Sequence, residues 1–225
     1  MTQERVQPPA GSRRLPEKRW AIARAASVVF GREGYTRASV DAIAAEAGVS
    51  KRTVYNHFGD KEKLFLSVAL EMAGELTAAI AALADRHLGA AVDRRGAVDL
   101  ERDLGAFATA RARAMLSAGD RYALARAIRA EAAHVPPDVL RSWLDAGPFA
   151  SQRDIAAHLR RMAGQGLLAV DDADLAATHF TLLTFSGAAD RSFFGAVPIS
   201  DAELADIVST GVHAFLRLYG PSVGS

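Results

Sequence analysis

Residues 39–65 read Ser-Val-Asp-Ala-Ile-Ala-Ala-Glu-Ala-Gly-Val-Ser-Lys-Arg-Thr-Val-Tyr-Asn-His-Phe-Gly-Asp-Lys-Glu-Lys-Leu-Phe. Val40, Ile43, Ala44 and Ala47 recur at helical spacing and form one apolar face, and Gly48 supplies the conformation that stops such a helix. Ser50 stands where a second helix needs its N-terminal cap. That second helix is too short to be stable alone, so its residues divide between anchoring it and contacting a partner. Val54 and Phe58, four apart, can dock inward, while Lys51, Arg52, Thr53, Asn56 and His57 put hydrogen-bond donors on the other faces; Tyr55 can serve both. Two short helices around a glycine turn make a helix-turn-helix, whose second helix enters the DNA major groove with its N-terminal residues over base edges. Lys51, Arg52 and Thr53 hold that place. Tyr55, His57 and Lys61 follow, and phosphate oxygens accept from a phenol, an imidazole N–H and an ammonium alike. Asp60 is placed to cap a helix beginning at Lys61, whose first N–H groups can help bind a phosphate.

The run Val49–Phe65, with Thr-Val-Tyr-Asn-His-Phe followed by Asp-Lys-Glu-Lys-Leu-Phe, resembles the DNA-binding domain of TetR/AcrR-family transcriptional regulators. The likeness extends back to about Leu15 through a first helix with Ile22, Ala25, Ala26, Val29 and Phe30 inward and Gly34 closing it. It implies base reading by Lys51, Arg52, Thr53 and Asn56, backbone contacts by Tyr55, His57 and Lys61, and a further phosphate contact by Ser39. Asp41 departs from the pattern, standing where some family members offer a basic residue. A carboxylate there repels phosphate unless it is paired or aimed at a cytosine amine.

Charge follows the same division. Residues 1–63 hold 12 Lys/Arg against 7 Asp/Glu, a surplus of five positive charges, and the remainder carries four surplus negative charges, which returns the overall +1. The basic end is the nucleic-acid end, and all four lysines lie in it. With no cysteine there is no disulfide, thiolate zinc site or cysteine nucleophile, and a reducing cytoplasm is the natural location. No stretch reaches the roughly 18–20 charge-free apolar residues of a membrane span, and the N-terminus has no apolar signal core, so we expect a soluble, unexported protein without a membrane partner. Residues 1–14 have the proline-bearing makeup of a flexible basic arm, either a disordered end or one that lets Arg13 and Arg14 reach the minor groove. Residues 15–60 then form the DNA-binding domain and 61–225 a helical domain for effector binding and dimerisation.

From Lys61 helical spacing persists to about Leu88, residues 89–98 read as a loop, and helices follow over about 99–117, 120–133, 136–146, 149–165, 172–194 and 201–219. Ser200 and Glu203 form a capping box for the last. The fold class is all-α. The last two helices carry apolar stripes too wide for one neighbour to cover. Paired with their copies they make a four-helix homodimer interface, to which we assign Phe180, Leu183, Gly187, Ile207, Val208, Gly211 and Phe215. An ordinary monomer core is the alternative.

Resemblance to the family further implies a pocket for a small effector among the intervening helices. Phe107, Met115, Tyr122, Trp143 and Met162 are candidate walls, and Arg126, Glu131, His134, His158 and His179 candidate orienting groups. Low aromatic content, 7%, disfavours a cage for flat cations and favours an apolar or acyl-like effector. No cofactor or metal is expected, because the six histidines lack ligand spacing and no phosphate loop, Gly-x-Ser-x-Gly elbow or His-Glu-x-x-His is present. The expected partner is a double-stranded, palindromic operator, read by a repressor that its effector releases. An architectural protein binding DNA without sequence preference, or a helical enzyme, are the rival classes.

Overall fold

The computed structural model describes residues 10–89, 99–116 and 120–221, and among them all regular structure is helical. The helices are α1 (Ala10–Arg37), α2 (Val40–Glu46), α3 (Lys51–Phe58), α4 (Lys61–Ala84), α5 (Leu100–Leu116), α6 (Asp120–Ala130), α7 (Pro137–Ala146), α8 (Pro148–Gly164), α9 (Ala173–Thr181), α10 (Gly187–Arg191) and α11 (Asp201–Tyr219). A π-helical turn, Asp85–Gly89, continues α4, and a second, Leu182–Ser186, joins α9 to α10. Residues 1–9 of the expected arm and 90–98 of the expected loop lie outside the described residues; from Ala10 the arm is part of α1.

Two compact units form. The first takes in the chain to Ala69 together with Ala123–Leu140, and the second holds Leu70–Tyr122 and Arg141–Ser225. The expected boundary at residue 60 is therefore displaced: nine residues of α4 and the α6–α7 corner join the DNA-binding unit. Ile22, Ala26, Val29, Phe30, Val40, Ile43, Val54, Phe58, Leu64 and Phe65 fill its core. Phe65 takes Phe30 edge-on at 4.8 Å and Tyr35 at 4.7 Å between ring centroids. Gly34 breaks α1 at φ 79°, ψ 174°, a backbone state essentially confined to glycine. The Glu131 carboxylate occupies the space where a side chain at position 34 would begin.

The second unit packs α5, α8, α9 and α11 around Phe107, Leu159, Met162, Phe180 and Phe215. Phe180 stacks on Phe107 at 5.9 Å and meets Phe215 edge-on at 5.2 Å. This corrects the expected interface: Phe180, Val208, Gly211 and Phe215 are core residues of one protomer. The wide stripe on α11 is covered from inside by the π turn, against whose Leu183 carbonyl Gly211 packs without room for a Cβ. Leu183, Gly187 and Ile207 keep some exposure and stay available to a partner. The helix expected to reach residue 194 ends at Arg191; Phe193, Phe194 and Gly195 all take positive φ, and the Gly195 N–H donates to buried Ser192 Oγ at 3.0 Å.

By length and mean hydropathy, Lys61–Gly89 reaches the dimensions of a membrane span, although Glu71 and Glu75 interrupt it. Leu64, Phe65, Val68, Ile80, Ala84 and Leu88 of this segment are buried within the two units.

The Gly211 packing gives a direct test. Gly211→Ala should lower stability by about 1–3 kcal/mol through overpacking against the Leu183 carbonyl, read as a fall in thermal midpoint. A variant that unfolds at the parental temperature but dissociates would return Gly211 to an interface.

Candidate nucleic-acid interface

The α2–α3 unit is assembled from backbone requirements. Ser39 Oγ accepts the Ala42 N–H at 3.1 Å and so caps α2. At the far end Val49 N–H reaches the Ala44 carbonyl at 3.0 Å and Gly48 N–H the Ala45 carbonyl at 3.2 Å, with Gly48 at φ 64°. That pattern of two reversed bonds around a left-handed residue needs glycine. Ser50 caps α3 by accepting the Thr53 N–H at 3.2 Å, and its oxygen lies 2.8 Å from Thr53 Oγ1.

Helix α3 has eight residues, so tertiary contacts must hold it. Val54 and Phe58 are buried beneath it. Arg19 of α1 supplies a third anchor that sequence reasoning missed. Its guanidinium donates to the His57 carbonyl at 3.0 Å and to Ser67 Oγ at 3.3 Å, and lies 4.3 Å over the Phe58 ring. A cation at this terminus satisfies a carbonyl left over by the helix and opposes its dipole. Arg19 precedes inward-facing Ile22 by three residues, a spacing that could have flagged it.

With that face buried, α3 presents Lys51, Arg52, Tyr55 and Asn56 to solvent, while Thr53 and His57 are half-buried. Five of the expected contact residues thus share one short helix with Tyr55, and of these Lys51, Arg52 and Asn56 are exposed. Asp41 is paired: Lys51 Nζ donates to its Oδ2 at 2.8 Å, and that hydrogen bond holds the Lys51 ammonium above its ordinary pKa. The pair cancels one negative and one positive charge at the start of the recognition helix. Ser39, as a cap, uses an oxygen lone pair and keeps its O–H to donate.

Lys61 is engaged more deeply than its sequence position suggests. Its ammonium donates to the Thr36 carbonyl at 3.2 Å and sits 4.8 Å over the Tyr35 ring. Burial lowers its pKa, and the nearby Glu131 carboxylate acts in the opposite direction. Two of its three N–H bonds remain for a phosphate. Asp60 does cap α4, accepting the Lys63 N–H at 2.7 Å. Glu131, a candidate orienting group for an effector, is instead tied to the DNA-binding unit, where its Oε2 accepts the Thr36 N–H at 2.8 Å. Burial acts to raise its carboxyl, but the Thr36 and Tyr35 N–H groups and the Arg37 charge outweigh it and hold the pKa below the usual value.

The candidate effector residues do not converge on one described site. Phe107 and Met162 are core, Met115 packs against them, Tyr122 is half-buried and Trp143 buried in the second unit. Arg126 belongs to the first unit. His179 Nδ1 lies 2.7 Å from the Tyr219 hydroxyl, and His158 is held between the Asp154 carbonyl at 2.9 Å and the Asp85 carboxylate at 3.0 Å. Among the described residues no group of three metal-ligating side chains forms. A groove of about 400 Å³ runs between α5 and α11, lined by Asp99, Glu101, Gly105, Thr109, Ser209 and Val212, none of them an expected pocket residue. One polar group in this unit escaped notice in the sequence: Arg111 is buried within the apolar stripe of α5, at helical spacing from Leu104, Phe107 and Ala108.

Comparison with known proteins finds two family matches. Residues 22–68 match the model for bacterial regulatory proteins of the tetR family, and residues 102–221 match the C-terminal domain of AefR-like transcriptional repressors. The HTH-type transcriptional repressor AcnR of Corynebacterium efficiens is 27% identical over 199 residues, covering 87% of this chain and 92% of AcnR. The HTH-type transcriptional activator FasR of Mycolicibacterium smegmatis is 47% identical over 66 residues, a match that spans only 30% of FasR. A solved structure assigned to the TetR family, from Mesorhizobium loti, superposes with a TM-score of 0.80 at 30% identity, over 92% of this chain and 98% of that one.

The capping geometry of α3 sets an expected cost. Ser50→Ala removes the acceptor for Thr53 N–H and the partner of Thr53 Oγ1, and should cost ~1 kcal/mol in denaturant unfolding. A cost near zero would mean water caps the helix equally well.

Proposed function

Because this chain belongs to the TetR family of transcriptional regulators, we propose that it is a cytoplasmic, homodimeric repressor that binds a palindromic operator and is released by a small effector. TetR-family regulators bind DNA operators and effector ligands, usually as dimers. The observation that carries the proposal is the outward face of α3, where Lys51, Arg52, Tyr55 and Asn56 are exposed on a helix fixed from behind. Lys51, Arg52, Thr53 and Asn56 choose the bases, and Ser39, Tyr55, His57 and Lys61 hold the phosphates.

Support for a dimer comes from the second unit. Leu175 and Leu182 are exposed two helical turns apart, and Ile207 and Leu218 align three turns apart along α11. With Leu183 and Gly187 they leave an outer apolar surface on the elements that the sequence assigned to the interface. A two-fold dimer places two recognition helices on one face of DNA, which matches a palindrome.

Selection from random double-stranded DNA followed by footprinting should return two inverted half-sites with centres roughly 34–36 Å apart, or a larger spacing on the same face. A single asymmetric contact, or no preferred sequence, would overturn the proposal. Within a recovered operator, Arg52→Ala should cost ~1–3 kcal/mol and relax preference at one base position. Lys61→Ala should instead weaken binding to all sequences and lower the salt slope by about one unit, because Lys61 is assigned to a phosphate and not to a base. Interchanged outcomes for these two variants would invert the assignment of base and backbone contacts.

A further inference from the structure

Arg111 is 4% exposed, on the face of α5 that packs into the second unit. Its Nε is buried with no hydrogen-bond partner, and among the described residues no carboxylate pairs with it. The contact its guanidinium does make is with an aromatic face, lying 5.3 Å over the Phe185 ring. Burial alone pulls its pKa down to about 10, which still leaves the side chain charged at neutral pH. A buried cation without a counter-ion is strongly unfavourable, and a ring face offsets only part of that cost. A packed core gains nothing from this arginine that a methionine would not provide.

Two neighbours set the character of the surroundings. Phe107 lies one helical turn before Arg111, stacked on Phe180, so the surroundings are aromatic. Phe185 belongs to the π-helical turn Leu182–Ser186, a local geometry that concentrates at functional sites.

We propose that Arg111 is the anchor for an anionic effector, a monocarboxylate with an apolar or aromatic body, whose carboxylate pairs with the guanidinium beside Phe185. The inference rests on the second unit being the effector-binding part of a regulator, and it names the chemistry of that effector. One buried positive charge calls for one negative charge, since a dianionic phosphate would leave a net charge in the interior. Arginine presents two parallel N–H donors to a carboxylate, and an apolar tail suits the ring-lined surroundings.

The test uses the full chain and four probes: dodecanoate, 3-phenylpropanoate and their neutral primary amides. The thermal midpoint of Arg111→Met should lie above that of the parent in buffer, because a neutral side chain relieves the unpaired charge. At least one acid should raise the parent's midpoint while its amide does not, and that acid should bind Arg111→Met roughly tenfold more weakly or worse. Arg111→Lys, which keeps the charge, should retain part of the acid-induced rise. The proposal fails if Arg111→Met is less stable than the parent, if neither acid shifts the parent, or if acid and amide act alike. Operator binding is measured in parallel on the same samples. An acid that binds through Arg111 yet leaves DNA affinity unchanged would uphold the site and refute effector release, whereas intact DNA binding with no acid response would refute the site alone.

Discussion

A recognition helix of eight residues cannot hold its own shape in water, and the first unit is organised around that deficit. Ser50 closes the N-terminal end of α3, Arg19 closes the C-terminal end, and Val54 and Phe58 fix the buried face. Each anchor takes a group that would otherwise compete for the exposed face. Because the inward side is apolar and the helix ends are satisfied internally, Lys51, Arg52, Tyr55 and Asn56 are left at the surface. Specificity in such a protein depends on rigidity supplied from elsewhere: a base-reading donor misplaced by a fraying helix loses its geometry before it loses its charge.

The helix-turn-helix was legible because its signals are local. Capping serines, the Gly48 stop, the Gly34 break and the inward positions Ile22, Val29, Val54 and Phe58 depend on neighbours within a few residues, and the structure places them as the spacing implied. What was misread depends on partners distant in sequence. The stripe of α11 announces that something apolar covers it, but periodicity does not say whether that cover is a second copy or the π turn of the same chain. Glu131 lies 95 residues from Thr36, so nothing near it in sequence indicates that it belongs with the DNA-binding unit. The unit boundary moved for the same reason. Arg111 is the intermediate case: an arginine inside an apolar stripe was visible, but its lack of a counter-ion is a property of three dimensions.

Charge is handled differently in the two units. Around the recognition helix, cations are matched at short range: Lys51 by Asp41, Lys61 by the Thr36 carbonyl with Glu131 nearby, Lys63 by Asp60. These exposed or half-exposed pairs contribute little to stability, since water screens them. They govern instead how many positive charges remain for phosphate, so part of the sequence's basic surplus is already committed. In the second unit the opposite holds at Arg111, which is 4% exposed with an unpartnered Nε and rests over the Phe185 ring.

The corner at Gly34 has a consequence for how this chain can drift over generations. Position 34 is constrained twice, by a backbone state that glycine alone tolerates and by the Glu131 carboxylate filling the adjacent space. Position 131 is constrained through its carboxylate, by the Thr36 and Tyr35 N–H groups and the Arg37 charge, and by no special backbone state. Descendants can therefore shorten or neutralise residue 131 and later restore it, but losing glycine at 34 is not rescued by any change at 131, because the dihedral strain remains. The contact is mutual in space and one-directional in ancestry.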